Sequence, residues 1–575
     1  MRQPGTVRRG GARWARQLAS ALLLALTALP VRAQQQADTV RIRVDTRADR
    51  GAMTPTWAWF GYDEPNYTYM KDGSRLLTQL QALSPVPVHV RTHNLLTTGD
   101  GRAALKWGST NAYTEDASGK PVYDWTIVDR ILDAYVHRGM KPFVEIGFMP
   151  EALSTHPEPY RHHWNPADAY SQIFTGWAYP PRDYDRWREL VYQWVKHSVE
   201  KYGRKEVESW YWELWNEPDI GYWQGTPEEY ARLYDYTVDG VKRALPTARI
   251  GGPEVTGPLG QRTQGMLRDF LEHTLRGTNA ATGGKGAPLD LITFHAKGAP
   301  RVMPDGHVRM SVATQLRAID NGFSIIAAFP ELKQLPVVIG ESDPEGCAAC
   351  PARTNPANAY RNGTMYSSYT AEQLTRTYEL MDRHGANLVG SVTWAFEFEN
   401  QPYFDGFRDL STNGIPKPVL NVFRMLGQMG GRRVAVQSSG ALPLDSVVKA
   451  SVQGRPDIDA LASRDHHSTA VLVYNYHDDD VPAPAAPVEL LIEGVPATRA
   501  TLTHYRVDRD HSNAYEAWKR MGSPQQPTAE RLAELQKASE LQTLGAPAAV
   551  KVVGGSARVR FELPRQGVSL VTLRW

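Results

Sequence analysis

The chain has 575 residues, too many for one ordinary domain, and its 42% hydrophobic and 10% aromatic content is ample for large cores, so it reads as globular. Residues 1–33 hold six Arg and no acid; the remaining 58 basic and 62 acidic side chains leave a formal charge of −4. That balance lacks the clustered Lys and Arg of a nucleic-acid footprint and points to neutral or small substrates.

Arg2, Arg8, Arg9, Arg13 and Arg16 precede a 12-residue apolar stretch, Leu18 to Leu29, and then Pro30-Val-Arg-Ala33. This pattern predicts an export signal cleaved after Ala33, and hence a periplasmic or extracellular protein. The apolar stretch is too short to cross a bilayer, which takes about 20 residues. The Arg8-Arg9 pair fits the twin-arginine route as well as the general one. No second long apolar run follows, so no membrane anchor is expected.

Thr39-Val-Arg-Ile-Arg-Val-Asp45 alternates apolar and polar residues, a half-buried strand. Residues 34–54 are expected to join a later β-domain, because a closed barrel leaves no edge for a preceding strand.

From 55 to 425, eight short apolar runs alternate with helical patterns: Trp57 to Tyr62, Val86 to Thr92, Pro142 to Gly147, Glu208 to Glu217, Ala248 to Pro253, Leu289 to His295, Pro336 to Glu341 and Val389 to Phe396. Ahead of the fourth, Trp187, Leu190, Val191, Trp194 and Val195 form an amphipathic stripe. After it, Thr226-Pro-Glu-Glu229 is a capping box. Eight parallel strands with right-handed crossovers predict an α/β fold, a (β/α)8 TIM barrel over 55–425. An open doubly wound sheet is the alternative, but no Gly-rich phosphate loop follows the first run.

Cys347 and Cys350 are the only cysteines. Two thiols do not complete a structural zinc site, so a local disulfide is expected in an oxidising compartment, with a free pair as the alternative. Residues 426–575 change to short strands and turns, read as a β-sandwich. Its clearest strands are Ser468 to Tyr476, Arg499 to Asp508, Ala548 to Leu563 turning at Gly554-Gly555, and Ser569 to Trp575. Val481 to Pro487 reads as a stiff loop and Thr528 to Ala538 as an inserted helix.

The chemistry centres on Trp210-Tyr-Trp-Glu-Leu-Trp-Asn-Glu-Pro218. Strand alternation puts Glu217 on one face with Trp215, Glu213 and Tyr211, and Pro218 stops the ladder. Glu217 among indole rings loses hydration and holds its proton nearer neutrality, as a general acid needs; an ion-paired Glu is the structural alternative. Glu341 closes the seventh run, 124 residues later. Both carboxyls are then expected at the C-terminal mouth, nearly opposite each other. Two such groups are the equipment of glycoside hydrolysis: at about 5–5.5 Å they retain configuration and at about 6.5–9.5 Å they invert it.

The Trp215-Asn216-Glu217-Pro218 motif and the Glu ending strand seven resemble the retaining clan of barrel glycosidases. Gly147-Phe-Met-Pro150, Gly252-Pro253, Phe294-His-Ala-Lys-Gly298, Gly340-Glu-Ser-Asp-Pro344 and Asn413-Gly-Ile-Pro-Lys-Pro418 narrow the likeness to glycoside hydrolase family 39, the β-xylosidases and α-L-iduronidases. The resemblance implies that Glu217 is the acid/base and Glu341 the nucleophile of a retaining reaction, without metal or cofactor. It places Asn216 at the sugar hydroxyl beside the reacting carbon, unless it only forms a turn, and His93 in the sugar site. Arg91 and His295, at the ends of strands two and six, are expected to keep Glu341 ionised. Trp394 offers a flat face to a sugar ring, Tyr222 and Trp223 flank the leaving group, and Glu399, Asp405 and Arg408 lie on the last loop.

The substrate reading is a terminal β-D-xyloside on a xylo-oligosaccharide. Gly340-Glu-Ser-Asp-Pro344 and His295-Ala-Lys297-Gly298 look closer to the iduronidases, in which the matching Lys contacts the sugar carboxylate. An α-L-iduronide and an α-L-arabinoside are therefore alternatives. A carbohydrate-binding protein that kept the barrel without the reaction is the rival from another class; loss of either Glu would favour it, and both are present. Oligomeric state stays open.

Overall fold

The computed structural model describes residues 38–83, 85–165 and 168–575. The expected export signal lies outside these residues.

The barrel strands are Trp59–Tyr62, His89–Thr92, Lys141–Ile146, Tyr211–Leu214, Arg249–Val255, Leu291–Lys297 and Val337–Asp343, followed by an eighth split into Leu388–Ser391 and Thr393–Trp394. All pair in parallel. The first half of the eighth strand pairs with the seventh and the second half with the first, Trp394 opposite Gly61, which closes the ring of a TIM barrel. Gly61 is needed there: a Cβ would stand 2.3 Å from the Trp394 indole.

The helix Tyr184–Tyr202 buries Trp187, Leu190, Val191, Trp194 and Val195, as their spacing requires, and Asp183 caps its first amides. The helix Pro227–Ala244 opens with the Thr226–Glu229 capping box.

Several strand ends differ from the sequence reading. The fourth strand stops at Leu214, and Arg204–Val207, just ahead of its expected start, is helical. Trp215 (φ 68°) and Glu217 (φ 45°) are left-handed, so alternation does not carry Glu217 onto the Glu213 face. The sixth and seventh strands instead run two residues past His295 and Glu341, to Lys297 and Asp343. Because side chains repeat every second residue, each extension adds one more inward group.

The interior is layered by the same period. Trp59 stacks on His89 at 3.8 Å, with Phe143 and Tyr211 completing an aromatic floor. Two residues further along their strands stand Arg91, Glu145 and Glu213, all buried.

The second sheet has ten strands. Val40–Ala52 pairs antiparallel with Arg432–Ser438 and parallel with Ala486–Glu493. Strands from both ends of the sheet share one core containing Ile42, Val44, Val471, Leu490, Val571 and Leu573, which makes it a sandwich. The chain turns at Gly554-Gly555 as read, with Val553 and Ser556 exchanging both backbone hydrogen bonds, but the strands on either side do not pair with each other beyond that bridge. Ala548–Lys551 pairs with Arg499–Val507, whereas Ser556–Leu563 pairs with Ala486–Glu493, so the turn passes the chain between layers. The stiff loop ends early, because Ala486 already belongs to a strand. Thr528 caps the helix Ala529–Ala538, which with Ala514–Arg520 packs against Phe404 and Ile415 of the last barrel loop.

Gly61→Ala is expected to displace Trp394 and to cost about 1–3 kcal/mol, the usual range for overpacking a filled site. A shifted denaturation midpoint checks this; an unchanged midpoint would mean the indole is free to move.

Candidate active site

Arg91 is the centre of the charged layer. Its guanidinium binds Glu213, lies 3.3 Å from Glu145, 3.8 Å from Glu254 and 3.4 Å from Glu341, and donates to Asn216 Oδ1 at 3.3 Å. Burial opposes its charge, but Glu213, Glu254, Glu145 and Glu341 outweigh burial and raise its pKa further. Burial also pushes Glu213 well above the carboxylate range, against the pull of Arg91.

His93 is fully buried, 2.7 Å from Asp63, 2.8 Å from Glu145 and 3.6 Å from Glu341. It packs 4.3 Å from the Trp394 ring, behind the cavity wall. His93, expected in the sugar site, is not among the residues that line the cavity; it lies against Glu341 and Trp394.

His295, also fully buried, lies between three carboxylates: Nδ1 is 2.9 Å from Glu217 Oε1 and 3.9 Å from Glu341 Oε1, and Nε2 is 2.7 Å from Glu254 Oε2. Burial favours the neutral ring, but Glu341 and Glu254 overcome it and raise the pKa to about 10. A histidine, rather than the expected indoles, thus meets the Glu217 carboxyl. Trp215 turns away to pack 5.2 Å from Trp223 and donates to Tyr222 O.

Lys297, reached only because the sixth strand continues, binds Glu341 and lies 2.9 Å from Asp343. Asp343 in turn meets Arg408 at 3.3 Å, and Arg408 meets Glu345 at 2.6 Å. Burial raises the Glu341 carboxyl, but Lys297, His295, His93 and Arg91 prevail and hold it near 2, ionised at any ordinary pH. One oxygen of Glu217, one of Glu341 and one His295 nitrogen all lie within 4.8 Å of one another.

Glu217, Glu341, Lys297 and Arg408 line a cavity of about 80 Å³ with Asn216, Trp394 and Tyr222, and His295 stands behind Glu217. Among residues not singled out from sequence, Asp63, Lys106 and Tyr170 also line it. Asp63 follows the first strand directly, a position that barrel geometry marks as functional; Lys106 and Tyr170 sit on long loops with no periodic signal. Cys347 and Cys350 are disulfide-bonded with Cα atoms 5.4 Å apart, and Cys347 and Ala348 form part of the wall. Buried Arg361 clamps this loop through the carbonyls of Cys347 (3.1 Å) and Cys350 (2.9 Å).

Some expected residues do not reach the cavity. Glu399 accepts from the Asp72 amide at 2.9 Å, at the start of the helix Lys71–Gln81, where a carboxylate meets the positive helix end. Asp405 pairs with Arg353, and Trp223 donates to Thr226 O.

A closed barrel with two carboxyls facing each other in a cavity among charged, hydroxyl and indole groups defines a glycoside hydrolase. The family described as "Glycosyl hydrolases family 39" matches residues 40–555, and the chain belongs to that family. It is 25% identical over 420 residues to a beta-xylosidase of Caldicellulosiruptor saccharolyticus, covering 72% of this chain and 76% of that one. It is 26% identical over 440 residues to the alpha-L-iduronidase of Mus musculus, covering 71% and 62%. In fold it is similar to a monomeric beta-xylosidase from Caulobacter crescentus CB15, with a TM-score of 0.72 and 23% identity over 93% of this chain and 99% of that one.

The depressed Glu341 pKa fixes the sign of its contribution to stability: present above the unfolded value of 4.5 and lost as pH falls towards 2. Wild type is expected to unfold at higher temperature than Glu341→Gln at pH 6, with the gap closing between pH 4.5 and 2. Thermal unfolding across that range measures it; a constant gap would contradict the ion pairing.

Proposed function

We propose that the protein is a retaining exo-glycosidase that removes terminal β-D-xylose from short oligosaccharides. The observation that carries retention is the spacing of the acids. One oxygen of each acid lies within 4.8 Å of the other, which supports the closer class of pairs, at about 5–5.5 Å, that form a covalent intermediate over the inverting pairs at about 6.5–9.5 Å. Glu341, kept ionised by its four cationic neighbours, attacks the anomeric carbon while Glu217 gives its proton to the departing oxygen. In the second step Glu217 takes a proton from water, the oxygen of which attacks the anomeric carbon and frees Glu341. A cavity of about 80 Å³ supports trimming of chain ends over cleavage within a long bound chain.

The cations lining the cavity favour a neutral sugar. Lys106 is paired with Asp63, Lys297 with Glu341 and Asp343, and Arg408 with Asp343 and Glu345. An α-L-iduronide would have to draw Lys297 away from two buried carboxylates, which costs more than the surface position of a free Lys would. The iduronidase reading keeps one supporting observation, that Lys297 does line the cavity. Export is part of the proposal, supported by the Cys347–Cys350 disulfide, since such bonds persist in oxidising compartments.

Glu217→Ala and Glu341→Ala are each expected to lower turnover by about 10²–10⁴-fold or more. Azide should rescue Glu341→Ala with an inverted glycosyl azide. Hydrolysis of aryl β-xyloside, α-L-arabinoside and α-L-iduronide measures the sugar preference. Full activity in either variant, or preference for the iduronide, would overturn the reading.

A further inference from the structure

Glu254 reaches the acid/base by two routes, one direct and one through His295. Its carbonyl accepts the Glu217 amide at 2.9 Å. Its carboxylate lies 2.7 Å from His295 Nε2, off the line of an ideal hydrogen bond, and the opposite ring nitrogen contacts Glu217 Oε1 at 2.9 Å. Glu254, His295 and Glu217 therefore form a chain of carboxylate, imidazole and carboxyl.

The chain departs from easy geometry in two places to keep this arrangement. Glu254 is left-handed (φ 54°), a conformation that a non-glycine residue adopts at a cost. Gly340, one residue before Glu341, leaves the space the carboxylate fills: a Cβ there would stand 2.1 Å from Glu254 Oε1. The Thr293 hydroxyl accepts the Glu254 amide at 3.2 Å from the sixth strand. Burial opposes the charge of this carboxylate, but Arg91, 3.8 Å away, the His295 ring and a hydrogen bond with the Glu213 side chain hold it below the usual carboxylate range.

We propose that Glu254 is a positioning residue for the acid step: it holds His295 as an oriented imidazolium whose Nδ1–H receives the negative charge that appears on Glu217 when its proton leaves. The proposal rests on the acid/base role of Glu217. The proton passes from Glu217 to the leaving-group oxygen as the glycosidic bond breaks; His295 keeps its own proton and strengthens one hydrogen bond. Donors preset at the point where charge develops act without reorganising, which is why such a group accelerates the step. The groups facing the ring are Glu217, Glu254 and Glu341, with Arg91 beyond Glu254 and Lys297 beyond Glu341. Glu254 is the one of the three carboxylates that does not change charge during the proposed reaction, so it keeps the imidazolium charged throughout.

The test compares glycosides of the sugar that wild type cleaves best, one with an activated nitrophenol leaving group and one with a poor alkyl leaving group. Glu254→Gln keeps the shape and removes the charge. Its kcat/KM is expected to fall about 10- to 100-fold on the alkyl glycoside, the range for losing a group that orients a histidine, and far less on the activated one. Glu254→Asp should recover part of the loss. An equal fall on both substrates, as a merely structural role gives, would overturn the proposal. Glu217→Gln run in parallel separates the two readings. If it shows no leaving-group dependence, the acid/base reading fails; if it does and Glu254→Gln does not, only this proposal fails. Nitrogen-15 NMR of His295 in the unmodified protein adds a measurement independent of any variant. An imidazolium at pH 8 supports the proposal, and titration near 6.5 overturns it.

Discussion

Everything at the mouth of the barrel depends on one guanidinium buried among carboxylates. Arg91 has no exposed surface and meets Glu213, Glu145, Glu254 and Glu341, which arrive on the fourth, third, fifth and seventh strands. Removing a charge from such a cluster leaves its partners unpaired in low dielectric, at about 3–5 kcal/mol for a single pair. The cluster is not there for stability alone. It gives Glu341 a field of positive charge on one side while the cavity stays open on the other, and it sets the histidines in fixed orientations.

Charge is then graded outward from that centre. Arg91 and His93 stand behind Glu341, Lys297 beside it, and Arg408 one step further through Asp343. Glu217 meets a different environment, in which its hydrogen bond comes from a histidine held by Glu254. Two chemically identical carboxyls are thereby given different surroundings, as the proposed roles require of them.

The sandwich contributes by packing, not by lining the cavity. Its inserted helices press on Phe404 and Ile415, and Gln566 accepts from Ser368 on the helix Thr364–His384, between the seventh and eighth barrel strands. The first described strand, Val40–Ala52, belongs to this sheet although the whole barrel follows it in sequence. A closed ring of strands has no free edge to offer, so the early strand pairs with the edges that a later domain supplies.

Local signals sufficed for the elements with strong periodicity: the Trp187 to Val195 stripe, the Thr226 capping box, and eight apolar runs spaced by helices. They also sufficed to bring Glu217 and Glu341 to one rim, because parallel strands in a ring all end on the same side. What lay beyond them was the last residue or two of each strand. Trp215 and Glu217 leave strand geometry through left-handed backbone, while Lys297 and Asp343 continue it, and only neighbouring strands decide which happens. Hence the partner of each carboxyl was set by tertiary structure: His295 for Glu217, Lys297 for Glu341, and Glu254 in the space left by Gly340. Sequence by itself determined which acids exist and which rim they reach, since those follow from residue type and strand period. Which charge stands next to which acid depends on contacts between residues 30 (His93 to Asp63) to 250 (Arg91 to Glu341) positions apart, and no local pattern encodes those.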